Sequence, residues 1–264
     1  MGRTTAQAYR SALVTGASSG IGASCARLLA AGGTDLVVVA RRRDRLDDVA
    51  ARLADEHKVN VEVLAADLTD PLACAAVQAR LADSARPVEL LVNNAGFGAA
   101  GLFAGLPVRR AESQIKLNVV ALVRLAHAVL PVMLERGHGG ILNVSSMAGF
   151  VLSPGSATYA ATKAFVTSFS ESLHAEVRGR GVHVTALCPG FTRTEFHAAS
   201  DAAGSGISGF AWLDSDDVAR AGLRGVAAGR ALCIPGAQYK AAAQLARIAP
   251  RALVRGAAER FGRR

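Results

Sequence analysis

The amino-acid sequence predicts an α/β fold: a doubly wound, seven-stranded parallel sheet with helices on both faces. Three observations carry this. Seven short runs are nearly all apolar and rich in β-branched residues, as strands covered on both faces are. Segments long enough for helices, most with an apolar stripe, fill the intervals and give a βαβ alternation. Most of the runs close on glycine, serine or aspartate, at the strand ends where such folds bind ligands.

In chain order, "SALVTG" from Ser11 reads as the first strand, followed by a helix over 20 to 31. "DLVVVA" and a helix over 44 to 57 come next, then "VEVLAAD" and a helix over 71 to 84. "VELLVNNAG" precedes a long helical segment, 108 to 135, and "GGILNVSS" precedes another, 156 to 180. "VHVTALCPG" is the sixth run. After it, "HAASDAAGSGISGF" (197 to 210) shows no periodicity; it is either a disordered insertion or a substrate lid, and its place beyond a strand's carboxyl end favours a lid over about 195 to 214. A helix over 215 to 228 and the run "ALCIPG" complete the sheet. From 240 to 264 the chain is an alanine-rich basic tail broken at Pro250, expected as a solvated terminal helix, a cover for a pocket or, less readily, a peripheral membrane contact.

Length and composition bound the function. A chain of 264 residues with 51% hydrophobic residues, 27 glycines and 5% aromatics fits one globular domain, 1–264, with tight helix packing. The four cysteines are scattered without metal-ligand spacing, so no metal site is expected and the thiols read as small buried side chains in a reducing compartment. With no signal-like N-terminus and no run approaching roughly 18 apolar residues, the expected location is cytoplasmic. The formal charge of +9 comes from arginines spread along helices, without zinc-finger spacing or an aromatic-basic motif, and no nucleic-acid partner is expected.

After the first strand the sequence reads "TGASSGIG". Gly16, Gly20 and Gly22 allow a tight turn, close backbone approach and close helix packing, so a pyrophosphate can rest on a helix N-terminus beginning there. The second strand ends "VVVARRRDR": Ala40 stands where a protein preferring NAD would carry an acid for the ribose 2′-hydroxyl. Arg41 and Arg42 follow, and guanidinium forks suit a 2′-phosphate. NADP(H) is therefore expected as cofactor, with Arg43 and Arg45 solvating the next helix. "ATYAATKAF" sets Tyr159 and Lys163 at i and i+4, one turn apart on a common helical face. A cation beside a phenol can favour proton transfer, although such pairs also occur by chance on surface helices.

Taken in order, the glycine loop at 15 to 22, "ADL" with Asp67, "NNAG" at 93 to 96, Asn118 in "KLNVV", "NVSSMAG" with Ser146, "YAATK" and "PGFTRT" at 189 to 194 resemble the short-chain dehydrogenase/reductase family in its compact Rossmann form. The resemblance runs from about Ser11 to Thr194. It implies that Gly16, Ser18, Ser19, Gly20, Ile21 and Gly22 hold the pyrophosphate end, that Asp67 and Leu68 flank the adenine, and that Asn94, Ala95 and Gly96 line the nucleotide. Pro189, Gly190, Thr192 and Thr194 would hold the nicotinamide end. Ser146, rather than Ser145, takes the serine role, standing 13 residues before Tyr159. Thr162, where the family often has serine, is a small departure expected to have no consequence.

The implied chemistry is carbonyl reduction or alcohol oxidation. Tyr159 would be the general acid/base. Lys163, helped by the positive charge of the oxidised nicotinamide, would lower the tyrosine's pKa and would also bind the nicotinamide ribose, Ser146 would hydrogen-bond the carbonyl oxygen, and Asn118 would anchor a water chain resupplying the proton. Two other readings compete. A non-catalytic NADP(H)-binding sensor or scaffold on the same fold would be expected to have lost one of Asn118, Ser146, Tyr159 and Lys163. A nucleotide-sugar epimerase would be expected to carry a larger C-terminal domain. Phe97, Phe150, Leu152, Phe191, Phe196, Phe210 and Trp212, after strand ends or in the lid, suit an apolar carbonyl or alcohol substrate, or are ordinary core. The family also implies a homodimer or homotetramer paired through the long helices, about 108 to 135 and 156 to 180.

Overall fold

The structure is a computed structural model that describes residues 9–195 and 211–248. The interior of the expected lid, including Phe196 and Phe210, and the basic tail from 249 lie outside the described residues. Seven parallel strands form one sheet: β1 (Ser11–Thr15), β2 (Asp35–Ala40), β3 (Val61–Ala65), β4 (Leu90–Asn93), β5 (Gly139–Val144), β6 (Val182–Leu187) and β7 (Leu232–Cys233), in the order β3-β2-β1-β4-β5-β6-β7. All seven expected strands are present. β7 is short because Pro235 and Gly236 follow it closely, and proline cannot donate to a strand ladder.

Consecutive strand residues alternate between two cores. Val14, Val38, Val92 and Leu142 face α1 (Gly20–Ala30), α2 (Arg43–His57) and α7 (Ser215–Ala227). Leu13, Val37, Leu91 and Ile141 face α3 (Pro71–Leu81), α5 (Leu122–Arg136) and α6 (Ala157–Glu176). Both faces are dry, which is why the strands read as unbroken apolar runs.

The long segment expected as one helix is helical throughout but not uniform. α4 (Val108–Ile115) passes into a π-helical stretch, Lys116–Ala121, before α5 begins. Its most apolar window has a mean hydropathy of 1.9, so this run, Val108–Arg136, is long and apolar enough to cross a membrane, contrary to the sequence reading. Here Leu125, Ala126, Val129 and Met133 are instead packed on the sheet. The final described helix is α8 (Ala237–Ile248), and the expected break at Pro250 lies outside the described residues.

Under the strand ends lies a buried polar link between sheet and helices. Asn93 Nδ2 donates to Asn143 Oδ1 (3.0 Å) and to the Leu122 carbonyl (3.3 Å), while Asn143 Nδ2 donates to Ser170 Oγ (2.9 Å). These bonds tie β4 and β5 to α5 and α6, the elements that carry the polar cluster described next. Each buried amide finds partners, so the link fixes register without leaving a desolvated group unpaired.

Candidate active site

The glycine turn leaves β1 at Thr15. Gly16 has φ +68°, and a Cβ there would lie 2.7 Å from Asn94 Nδ2; a Cβ on Gly22 would collide with the Gly16 carbonyl. No side chain fits between the turn and α1, so the first amides of that helix can approach an anion directly. Ser18, Ser19, Gly20 and Ile21 are half-buried along this turn, and the Ser19 hydroxyl makes no capping hydrogen bond. The cradle therefore fits a dinucleotide pyrophosphate. Across from it, Thr15 Oγ1 accepts from the amides of Asn94 (2.9 Å) and Ala95 (3.0 Å), and Asn94 Nδ2 donates to the Thr15 carbonyl (2.9 Å).

At the end of β2, Arg41 and Arg42 are exposed. Arg42 lies 3.9 Å from Glu195 and Arg45 lies 3.3 Å from it, both solvated pairs of small energetic weight. Arg45, expected only to solvate α2, thus makes the closer ion pair with Glu195. Asp67 Oδ1 accepts from the Thr69 amide and hydroxyl (2.9 and 2.7 Å). Burial opposes ionisation of Asp67, but these bonds and the nearby Arg41 guanidinium outweigh it and hold the carboxyl below the usual range. Leu68 is buried in the core, so it can meet a ligand only through its backbone.

Asn118, Ser146, Tyr159 and Lys163 are linked into one polar cluster. Lys163 is buried, 5% exposed, and its Nζ donates to the Val144 carbonyl (2.7 Å) at the end of β5, 5.8 Å from the Tyr159 ring centroid. Ser146 caps a 3₁₀ turn, Met147–Gly149, its Oγ accepting from the Ala148 amide (3.1 Å). Ser145 Oγ instead donates to the Lys163 carbonyl (2.7 Å), the structural role expected of it. Asn118 sits in the π-helical stretch, where Oδ1 accepts from the Phe97 amide (3.1 Å) and Nδ2 donates to the Phe97 carbonyl and to Thr162 Oγ1 (both 3.1 Å). A Cβ on Gly96 would lie 2.9 Å from Asn118 Oδ1 and 3.7 Å from Lys163 Nζ, so the amide oxygen and the ammonium face the same glycine.

The expected lowering of the Tyr159 pKa counts on the oxidised nicotinamide as well as Lys163, and in the chain by itself the pKa is raised. Burial pushes the phenol up, to about 12, and only a hydrogen bond to Ser146 pulls the other way. Tyr159 keeps some surface accessible, so solvent tempers this rise without reversing it. Burial also drives Lys163 down, to about 8. Desolvation is the largest cause of both shifts.

The chain leaving β6 closes the cluster. The Pro189 carbonyl accepts from the Met147 amide (2.9 Å), joining this segment to the Ser146 turn. Thr192 is buried, its hydroxyl donating to the Gly190 carbonyl (3.0 Å), and the Thr194 side chain lies 3.1 Å from the position of a Cβ on Gly20. Phe191 and Trp212 form a tilted ring pair with centroids 5.7 Å apart. Phe97, Phe150, Leu152, Phe191 and Trp212 are all half-buried or exposed, so the described members of the aromatic and apolar set are not core.

Two residues carry more than the sequence reading gave them. Gln114, four before Asn118 and wholly buried, donates to the same Phe97 carbonyl (2.9 Å) and borders a cavity of about 240 Å³ that also reaches Leu106 and Thr158. The i, i+4 spacing from Asn118 was the available signal. Thr162, treated as a departure without consequence, links Asn118 to the Tyr159 carbonyl through its hydroxyl (2.7 Å), a bond that serine can equally make.

An edge of this kind belongs to the nicotinamide-dependent oxidoreductases. The family model described as short chain dehydrogenase matches residues 10–204, and the chain belongs to that family. It is 40% identical over 200 residues to sulfoacetaldehyde reductase 2 of Chromohalobacter salexigens, covering 72% of this chain and 79% of that protein. The solved short-chain dehydrogenase from Sphingobium yanoikuyae in complex with NADPH superposes with a TM-score of 0.80 at 42% identity, covering 88% of this chain and 91% of that one. A bulky-bulky ketone specific alcohol dehydrogenase from Comamonas testosteroni gives 0.79 at 35% identity, covering 90% and 92%. The protein is a nicotinamide-dependent oxidoreductase.

The Lys163 shift has a measurable sign. Below pH 8 the ammonium is charged in both states and the folded state bears its desolvation; between about 8 and the ordinary 10.5 the folded state gives up the proton first, so stability rises with pH. Urea unfolding should show wild type gaining on Lys163→Met across this window, by at most about 1.4 kcal/mol per pH unit. A difference independent of pH would contradict the buried, depressed lysine.

Proposed function

We propose that the protein is an NADP(H)-dependent reductase or dehydrogenase acting on an apolar ketone, aldehyde or secondary alcohol, with Tyr159 as general acid/base. The observation carrying this reading is the placement of Ser146, Tyr159, Lys163 and Asn118 at one edge, beside a glycine turn fit for a pyrophosphate. The bound dinucleotide would supply the hydride. Residues 16–22 would hold its pyrophosphate, Asp67 and Leu68 its adenine, Asn94, Ala95 and Gly96 its middle, and Pro189, Gly190, Thr192 and Thr194 its nicotinamide end.

The phenol of Tyr159 is protonated at neutral pH and can donate as charge develops on the carbonyl oxygen. Ser146 donates a second hydrogen bond to that oxygen. Lys163 holds the nicotinamide ribose hydroxyls and, when charged, stabilises the phenolate left behind. The remaining lone pair of Asn118 Oδ1, facing Gly96 near Lys163, anchors the water that returns the proton.

Preference for NADP(H) is supported by Ala40 in place of an acid, by the exposed Arg41 and Arg42, and by the NADPH bound to the Sphingobium relative. An apolar substrate is supported by the half-buried and exposed aromatics at the strand ends and by the apolar cavity beside Gln114. A homo-oligomer is supported by apolar side chains left open on α4 and α6: Val108 is 68% exposed and Phe165 43%. Four buried, unpaired cysteines suit a cytoplasmic setting.

Tyr159→Phe should lower turnover by about 10²- to 10⁴-fold while leaving NADPH affinity nearly unchanged; parallel loss of both would sink the assignment. Replacing Arg41 and Arg42 together by alanine should weaken NADPH by about tenfold or more, and NADH hardly at all, by calorimetric titration. An equal loss for both would remove the 2′-phosphate reading. Light scattering should find wild type as a dimer or tetramer and Phe165→Asp largely dissociated; a monomeric wild type would refute pairing through these helices.

A further inference from the structure

We infer that Tyr239, on the last described helix, α8, is a positioning residue that sets the nicotinamide-side segment, residues 190–194. The inference rests on the proposed role of that segment in holding the nicotinamide end. β7 runs beside β6, and the left-handed turn at Gly236 (φ +86°) starts α8 immediately after it. The first turn of α8 is thereby brought against the chain leaving β6.

The contact is close and specific. A Cβ on Gly190 would fall inside the Tyr239 ring, so the ring occupies the space that any other residue at 190 would need. The Tyr239 hydroxyl accepts from the Phe191 amide (3.1 Å) and donates to the Ala211 carbonyl. It therefore satisfies an amide that has just left the β6 ladder and joins it to a chain position 20 residues on. On the other side, the Leu213 amide donates to the Phe191 carbonyl (2.8 Å) and the Arg193 amide to the Leu213 carbonyl (3.0 Å). Residues 190–193 are thus held between Leu213 and Tyr239. From this fixed course Thr192 turns its hydroxyl onto the Gly190 carbonyl and Thr194 lies over Gly20. Ring packing fixes where the segment lies, and the hydroxyl fixes how its backbone is turned.

Tyr239→Phe separates these two parts, since the ring stays on Gly190 while both hydrogen bonds are lost. Calorimetric titration would compare NADPH with 2′-phospho-ADP-ribose, the same ligand without its nicotinamide. The expected result is fragment affinity unchanged within about twofold and NADPH affinity reduced about five- to tenfold, the size of one or two net hydrogen bonds. Gly190→Ala, which forces the ring away, should give the same selective loss, larger. Unchanged NADPH binding by Tyr239→Phe overturns the inference, and so does an equal loss for both ligands, which marks a general structural role. Failure of the underlying reading has its own signature: wild-type protein binding the fragment as tightly as NADPH would show that the nicotinamide half gains nothing from this chain, and the role of Tyr239 would fall with it.

Discussion

Thr15 holds the sheet at the one place where its winding reverses. Strands β1 to β3 are laid outward in one direction, the chain then returns to place β4 on the other side of β1, and the cleft opens between them. The two strand ends that diverge there would splay without a tie. The Thr15 hydroxyl supplies it by accepting the Asn94 and Ala95 amides, and Asn94 reciprocates through its side chain. The glycine turn, the start of α1 and the approach of Gly96 to Asn118 all follow from this join. A threonine is apt because one hydroxyl accepts twice and still donates, to the Val92 carbonyl (3.3 Å).

The cluster at this edge is governed by burial more than by attraction between charges. Free tyrosine and lysine titrate close together, at 10.0 and 10.5; in the fold the phenol moves to about 12 and the ammonium to about 8. The lysine therefore loses its proton well before the tyrosine does. Near neutrality the phenol is neutral and the ammonium is charged but weakly held, a pairing poised to respond to any new charge placed beside it. The Val144 carbonyl keeps that ammonium in a dry environment that would otherwise expel it.

Much of this was legible in the sequence because a parallel sheet buried on both faces writes its strands as unbroken apolar runs. The glycine turn and the placing of Tyr159 and Lys163 on one helix were readable from short-range spacing and small residues, while the choice of Ser146 over Ser145 came from the family resemblance. What stayed hidden depends on distance in the chain or on geometry without a residue signature. No proline or glycine marks the π-helical stretch that turns Asn118 onto Phe97. The raised Tyr159 pKa of the chain by itself follows from burial around the pair, which local spacing does not encode. Tyr239 reads as one aromatic in a basic tail; its meaning appears only when β7 places it against Gly190, far back in the chain. The cavity beside Gln114 likewise needs two separate segments, 99–114 and 155–158, to meet.

The chain has one tryptophan, and the fold puts it in an informative place. Trp212 packs against Phe191, immediately beside the segment between Leu213 and Tyr239. The molecule thus carries its single indole where its strand exit, its last described helix and its ligand edge converge. Indole emission overlaps the absorbance of a reduced nicotinamide, so light emitted at Trp212 is available for transfer to a dinucleotide lying along this edge. Occupancy of the cleft becomes an optical property of the unlabelled protein.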